Sequence, residues 1–386
     1  IFDTKSKYFK NIDPRLKLLS SLKNCKLVFL FKENFLEKIA YQILPKNNFI
    51  LKKIFNKIFN LISNRESKEK SIDWKNKLGE EFIKSETPLI ITLHEDHKTL
   101  GLVSQIKKYN DKAKCIILPH GTVICDNEML TKSNLKKKEI FSYHKSYENV
   151  DYFLRTSKYD LKSIKFKEIK KRKEIVIGSP RYCKEWLIVK SKLKLDGNNV
   201  SQNKKYKIKI LFLIPKEFIN IFNEELVRTI DFISSYKEIE LILLKNSFNF
   251  PVIPDSISKR SNIRQYFIFS HYSSSKLIEW ADIVLHAGTG ILFESFMKNK
   301  ITVLLRYLSC NTFLSEKYNA GLNLKNRDEL RNLCNSAVRS LENLKKNYKK
   351  QTDAGNKKFI NEFVNGNINS VPKTIHKSIL HILNKV

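Results

Sequence analysis

His94-Glu95-Asp96-His97 sets four ionisable side chains in consecutive positions directly after the apolar run Leu89 to Leu93. Carboxylates gathered at the end of a strand suit general-base work, in which one accepts a hydroxyl proton while its neighbour and a histidine set its pKa. Two other readings stand beside this one. His94 and His97 with the two carboxylates offer ligands to a divalent ion, although an extended segment does not bring i and i+3 to one face as a helix does. Asp96 also suits a solvated helix N-cap.

Three further segments carry residues of the same chemical promise. The run Lys114 to Leu118 ends in Pro119-His120-Gly121-Thr122, where the glycine lets a ligand approach the backbone and His120 can donate to a phosphate or a sugar carboxylate. Glu174 to Ile177 leads into Gly178-Ser179-Pro180-Arg181-Tyr182, an anion-holding corner through Ser179 and Arg181, or a plain turn with an exposed arginine. Ile208 to Ile214 is followed by Pro215-Lys216, whose lysine can reach a ligand.

The most specific pattern follows Ile283 to Leu285: His286-Ala287-Gly288-Thr289-Gly290, then a helical stretch containing Glu294. Glycines there expose backbone N–H groups to an anion, the Thr289 hydroxyl adds a donor, and a carboxylate one turn into the helix can accept ribose hydroxyls. A tight strand-to-helix turn with Glu294 merely solvated is the plain alternative. A further strand, Thr302 to Leu305, ends in Arg306.

These segments need a scaffold that delivers strand ends to one place. Short β-branched runs alternate with longer amphipathic stretches, the pattern of βαβ units in a parallel sheet. In the first half the strands are expected at Ile1-Phe2, Lys26 to Phe31, Leu89 to Leu93, Lys114 to Leu118, Tyr152 to Arg155 and Glu174 to Ile177, with helices over 35–44, 49–63 and 74–84. Residues 189–207 are polar and lack periodicity, which marks a linker. The alternation then restarts with strands at Ile208 to Ile214, Ile239 to Leu244, Ile283 to Leu285 and Thr302 to Leu305, and with helices over 218–234, 274–279, 291–298 and beyond Arg327. The expected organisation is a Rossmann-like domain over 1–188, a second over 208–360, and a C-terminal helical segment over 361–386 crossing back to the first. Such α/β halves face each other across a cleft, with ligands outside the carboxyl ends of the strands.

Composition narrows the function classes. A chain of 386 residues with 42% hydrophobic residues supports two cores. The excess of 72 Lys and Arg over 39 Asp and Glu gives +33, which invites polyanions. The basic residues are spread throughout, as a compositional bias of the source would spread them, and no nucleic-acid motif interleaves them with aromatics, so no nucleic-acid partner is expected. Lys136 to Lys138 and Lys165 to Lys173 suit peripheral contact with an anionic membrane face. The six cysteines show no CxxC pair and read as reduced cytosolic thiols. No run approaches the length of a membrane span. The opening at Ile1, in what reads as the end of a strand, leads to the expectation of residues upstream.

The order of these parts resembles the GT-B superfamily of bacterial surface-carbohydrate and capsule biosynthesis, which holds UDP-N-acetylglucosamine 2-epimerase, CDP-glycerol transferases and transferases using CMP-activated acidic sugars. His286 to Glu294 looks like their phosphate-and-ribose loop, Gly178-Ser179-Pro180 like the turn closing their first domain, and Pro119 to Thr122 like their central cleft loop. Ile1 to Lys5, with Arg15, is similar to the first loop of surface-carbohydrate biosynthesis proteins, and Glu95-Asp96 to the acidic motif of sialyl- and Kdo-transferases. The chain departs where those families carry a His-Pro pair, having Lys245-Asn246-Ser247.

The resemblance implies a metal-independent glycosyltransferase at the inner face of the cell membrane. It would have no resident cofactor and would move a sugar, such as Kdo from CMP-Kdo, from a nucleotide sugar to a surface glycan or its lipid carrier. Glu95, Asp96 and His120 would be catalytic; Ser179, Arg181, Lys216, His286, Gly288, Thr289, Gly290 and Glu294 would hold the donor. The alternatives are a non-hydrolysing epimerase, whose Ser-Gly-Gly loop is here Gly288-Thr289-Gly290, and a non-catalytic binding protein of the same fold.

Overall fold

The computed structural model describes residues 89–92, 107, 113–119, 124–125, 150–158, 173–192, 205–215, 221–245, 253–267, 274–366 and 368–383. Two parallel sheets organise them. The first holds β1 (Leu89–Thr92), β2 (Lys114–Ile117), β3 (Tyr152–Arg155) and β4 (Lys173–Val176), side by side in chain order and followed by helix α1 (Lys184–Lys192). α1 takes up the first residues of the expected linker, because the buried Trp186 anchors the helix to the first core.

The second sheet contains β5 (Ile208–Leu213), β6 (Ile239–Lys245), β7 (Ile263–Phe267), β8 (Ile283–His286), β9 (Ile301–Leu305) and β10 (Leu322–Leu324). Around them run α2 (Asn223–Ser234), α3 (Asp255–Ser258), α4 (Ser274–Trp280), α5 (Leu292–Met297), α6 (Leu314–Lys317), α7 (Arg327–Arg339) and α8 (Leu341–Phe363). The strands lie in the order β7-β6-β5-β8-β9-β10, every neighbouring pair parallel. This is the doubly wound strand order, and chain direction across the sheet reverses between β5 and β8.

Burial on both faces explains the predominantly apolar strands β5, β6, β8 and β9. Ile210, Phe212, Leu241, Leu243, Ile283 and Leu285 join one core under α2 and α7, while Leu211, Leu213, Ile242, Leu244 and Val284 join another under α4. β7 and β10, absent from the sequence expectation, are the two edges. Edge strands tolerate polar residues, so Arg264-Gln265 and Asn323 hide the pattern.

After α8 the chain returns. Helix α9 (Val371–Leu383) lays Val371, Ile375, Ile379 and Ile382 onto Ile116, Leu118, Tyr152 and Leu154 of the first sheet. The return passes the turn after β4 at close quarters. Gly178 and Gly366 both have positive φ (73° and 59°), and a β-carbon on Gly366 would stand 2.7 Å from the Thr156 carbonyl and 2.9 Å from the Gly178 nitrogen. Only glycine fits such an approach. The expected strands at 1–2 and 26–31 and the helices over 35–84 lie outside the described residues.

Candidate functional site

Leu213 of β5 and His286 of β8 are register partners at the carboxyl ends of adjacent strands, at the point where strand order reverses. Open α/β sheets place their crevice there. The turn 287–291 rises from this position and enters α5.

His286 shapes the turn. It is 1% exposed, and burial pushes its pKa down to about 3, so the ring is neutral near pH 7. Its Nδ1 accepts the Gly288 N–H at 3.4 Å, which puts the remaining ring proton on Nε2. His286 therefore offers no cation to a phosphate. Gly288 has φ +97°, and a β-carbon there would lie 2.4 Å from Cε1 of Phe313. The Thr289 hydroxyl accepts the Ile291 N–H at 3.4 Å. Among the described residues, the N–H groups of Thr289 and Gly290 have no acceptor, which leaves two donors in the turn.

Glu294 lies one turn into α5 and is 1% exposed. Its Oε1 stands 3.3 Å from Lys298 Nζ. Lys298 is held in turn by Ser275 Oγ at 2.6 Å and Glu279 Oε1 at 2.6 Å. Burying a carboxylate this deeply is costly without such a counter-charge. The expectation named Glu294 but missed Lys298, whose i,i+4 spacing was the available signal.

The first sheet's unit reaches this turn at two places. Cys125 forms an antiparallel bridge with Phe313, the Leu314 N–H donates to the Ile124 carbonyl at 2.9 Å, and the Phe313 ring then backs Gly288. From the other side, Tyr182 packs on Phe293 with ring centroids 5.5 Å apart. Nothing in the local sequence announced either contact.

The other expected residues fall as follows. Ser179 is 1% exposed; its N–H donates to the Val364 carbonyl at 2.6 Å and its carbonyl accepts from Tyr182 and Cys183, so its backbone serves the domain crossing. Arg181 is exposed beside it, its guanidinium 5.6 Å from the Tyr182 ring centre. Arg306 directly follows β9 and pairs with Glu316 at 3.1 Å. Lys245 ends β6, where burial lowers its pKa. Glu95, Asp96, His120 and Lys216 lie outside the described residues. The strands before the first three are described: Thr92 and Ile117 are register partners at the carboxyl ends of β1 and β2. Among the described residues no group of three or more metal-ligating side chains occurs, and no helix is long and apolar enough to cross a membrane.

No family model matches the chain, and no curated protein matches it. Solved structures do. The UDP co-structure of S. aureus MnaA is 16% identical with a TM-score of 0.54, covering 97% of this chain and 94% of that one. The Neisseria meningitidis UDP-GlcNAc 2-epimerase bound to UDP-GlcNAc is 13% identical with a TM-score of 0.52, covering 96% of each chain. The wall teichoic acid polymerase TagF is 12% identical with a TM-score of 0.44, covering 70% and 68%. With its two parallel sheets, the chain has the two-domain, Rossmann-like α/β fold called GT-B, as the sequence led one to expect.

Proposed function

We propose that this protein is a nucleotide-sugar enzyme of GT-B type that transfers a sugar to a surface glycan or its lipid carrier. One observation carries the reading. At the β5/β8 switch point, a turn with two N–H donors that have no acceptor among the described residues is followed one helical turn later by a buried, counter-charged carboxylate. The turn suits a phosphate and Glu294 suits the ribose hydroxyls of the same nucleotide.

In this reading Asp96 or Glu95 takes the proton of the acceptor hydroxyl, whose oxygen bonds to the anomeric carbon as the bond to the donor phosphate breaks. His120 and Arg181 hold the sugar, and Lys216 supplies positive charge to the phosphates. The donor brings its own leaving group, so no resident metal or cofactor enters the scheme. The +33 charge suits an anionic acceptor on the inner face of a membrane. The test is calorimetric titration with UDP, CDP, CMP and GDP, with and without magnesium, followed by Asp96→Asn. Binding that survives the substitution while turnover is lost supports the reading; unchanged turnover removes Asp96 from it.

A second reading, sugar 2-epimerisation, draws support from the structures matched over nearly their full length, one solved with UDP and one with UDP-GlcNAc. Incubation with UDP-GlcNAc separates the two. Inversion at C2 without acceptor, followed by NMR, marks an epimerase; acceptor-dependent release of the nucleotide marks a transferase.

A further inference from the structure

Tyr182 belongs to the turn after β4, yet it packs into the second unit. Its ring lies on Phe293 of α5, and Phe293 stacks on Phe359 of α8 with centroids 5.1 Å apart and planes 8° from parallel. The hydroxyl reaches the 287–291 turn itself, since a β-carbon on Gly290 would stand 3.4 Å from Tyr182 Oη. The side chain is 3% exposed. Among the described residues, no group donates to or accepts from its hydroxyl. The ring is buried but the hydroxyl is not among the buried polar atoms, so it is open beside the N–H groups of Thr289 and Gly290, where a ligand can meet it.

Burial raises the Tyr182 pKa, Arg181 opposes the rise and Glu294 adds to it. The group is therefore protonated at neutral pH and able to donate.

We propose that Tyr182 Oη donates a hydrogen bond to the anionic group held by Thr289 and Gly290, so that a residue of the first unit completes a phosphate site built on the second. The proposal rests on the reading of this turn as a nucleotide phosphate site. Its consequence is mechanical: a bound phosphate ties the turn after β4 to the turn after β8, and nucleotide binding links the two units.

Tyr182→Phe is the direct test, because it keeps the ring on Phe293 and removes only the hydroxyl. Wild type and variant are titrated with UDP, CDP and CMP, and with the nucleosides uridine and cytidine. The expected result is a nucleotide affinity about ten- to a hundredfold weaker in the variant, with an unchanged thermal midpoint and unchanged nucleoside binding. Equal nucleotide affinity in the two proteins overturns the contact while leaving the turn's own role standing. An equal loss with the nucleosides overturns its assignment to the anion. A wild type that binds none of the nucleotides overturns the phosphate-site reading and this proposal with it.

Discussion

Lys298 Nζ sits between two carboxylates, 2.6 Å from Glu279 Oε1 and 3.3 Å from Glu294 Oε1, so the buried Glu294 of α5 is tied to α4. Lys298 touches no proposed ligand position; it acts through Glu294.

Lys298→Met should therefore weaken nucleotide binding by about 1–3 kcal/mol, because the buried Glu294 loses its counter-charge. Lys298→Arg should recover much of that loss. Calorimetry with UDP and with 2′-deoxy-UDP checks the route: wild type should prefer the ribonucleotide, and the preference should shrink in the methionine variant. A loss equal for both nucleotides would mean that Lys298 supports the fold and not the ribose contact.

Gly288→Ala should cost about 1–3 kcal/mol of stability, since φ +97° is strained for alanine and its methyl would press into the Phe313 ring. Phe313→Leu relieves the contact but not the backbone strain. In a double-mutant cycle read by thermal unfolding, the two substitutions should couple by at least about 0.5 kcal/mol. Strict additivity would detach Phe313 from the turn.

His286 gives a pH signature. Its folded pKa of about 3 lies below the usual histidine value, so the unfolded chain binds a proton that the folded chain refuses. The stability linked to this group is whole above pH 6.5 and is lost at about 1.4 kcal/mol per pH unit as pH falls from there towards 3. His286→Asn retains an acceptor for the Gly288 N–H without a titrating group. Its thermal midpoint should fall less steeply than that of wild type between pH 6.5 and 4.5, and parallel curves would refute the assignment.

What could be read from the sequence follows the same physics. β5, β6, β8 and β9 announced themselves because strands buried on both faces are mostly apolar, and the turn after β8 stood out because its glycines interrupt that pattern. β7 and β10 did not, being half-exposed edges with polar residues inside. At the turn after β8, the places of Gly288 and Glu294 were legible from local spacing. Tyr182 and Phe313 were not, because each meets the turn from a segment remote in the chain, and only the folded topology brings them there. His286 was legible as the end of β8 but not as a neutral residue, since its charge state depends on burial.

The return helix supplies the last test. Ile375 and Ile379 of α9 are each 1% exposed and lie among Ile116, Leu118, Tyr152 and Leu154, so the first sheet depends on a helix encoded at the far end of the chain. Ile379→Ala removes buried methyl groups and should cost about 2–4 kcal/mol. The loss should be local, because Ile379 belongs to the first core and has no place among the residues that pack around β5 and β8. Hydrogen exchange at the amides of β2 and β3 should accelerate while that of β5 and β8 stays slow. Equal acceleration in both sheets would show that the two units unfold as one, which the close packing of Gly178 against Gly366 would then explain.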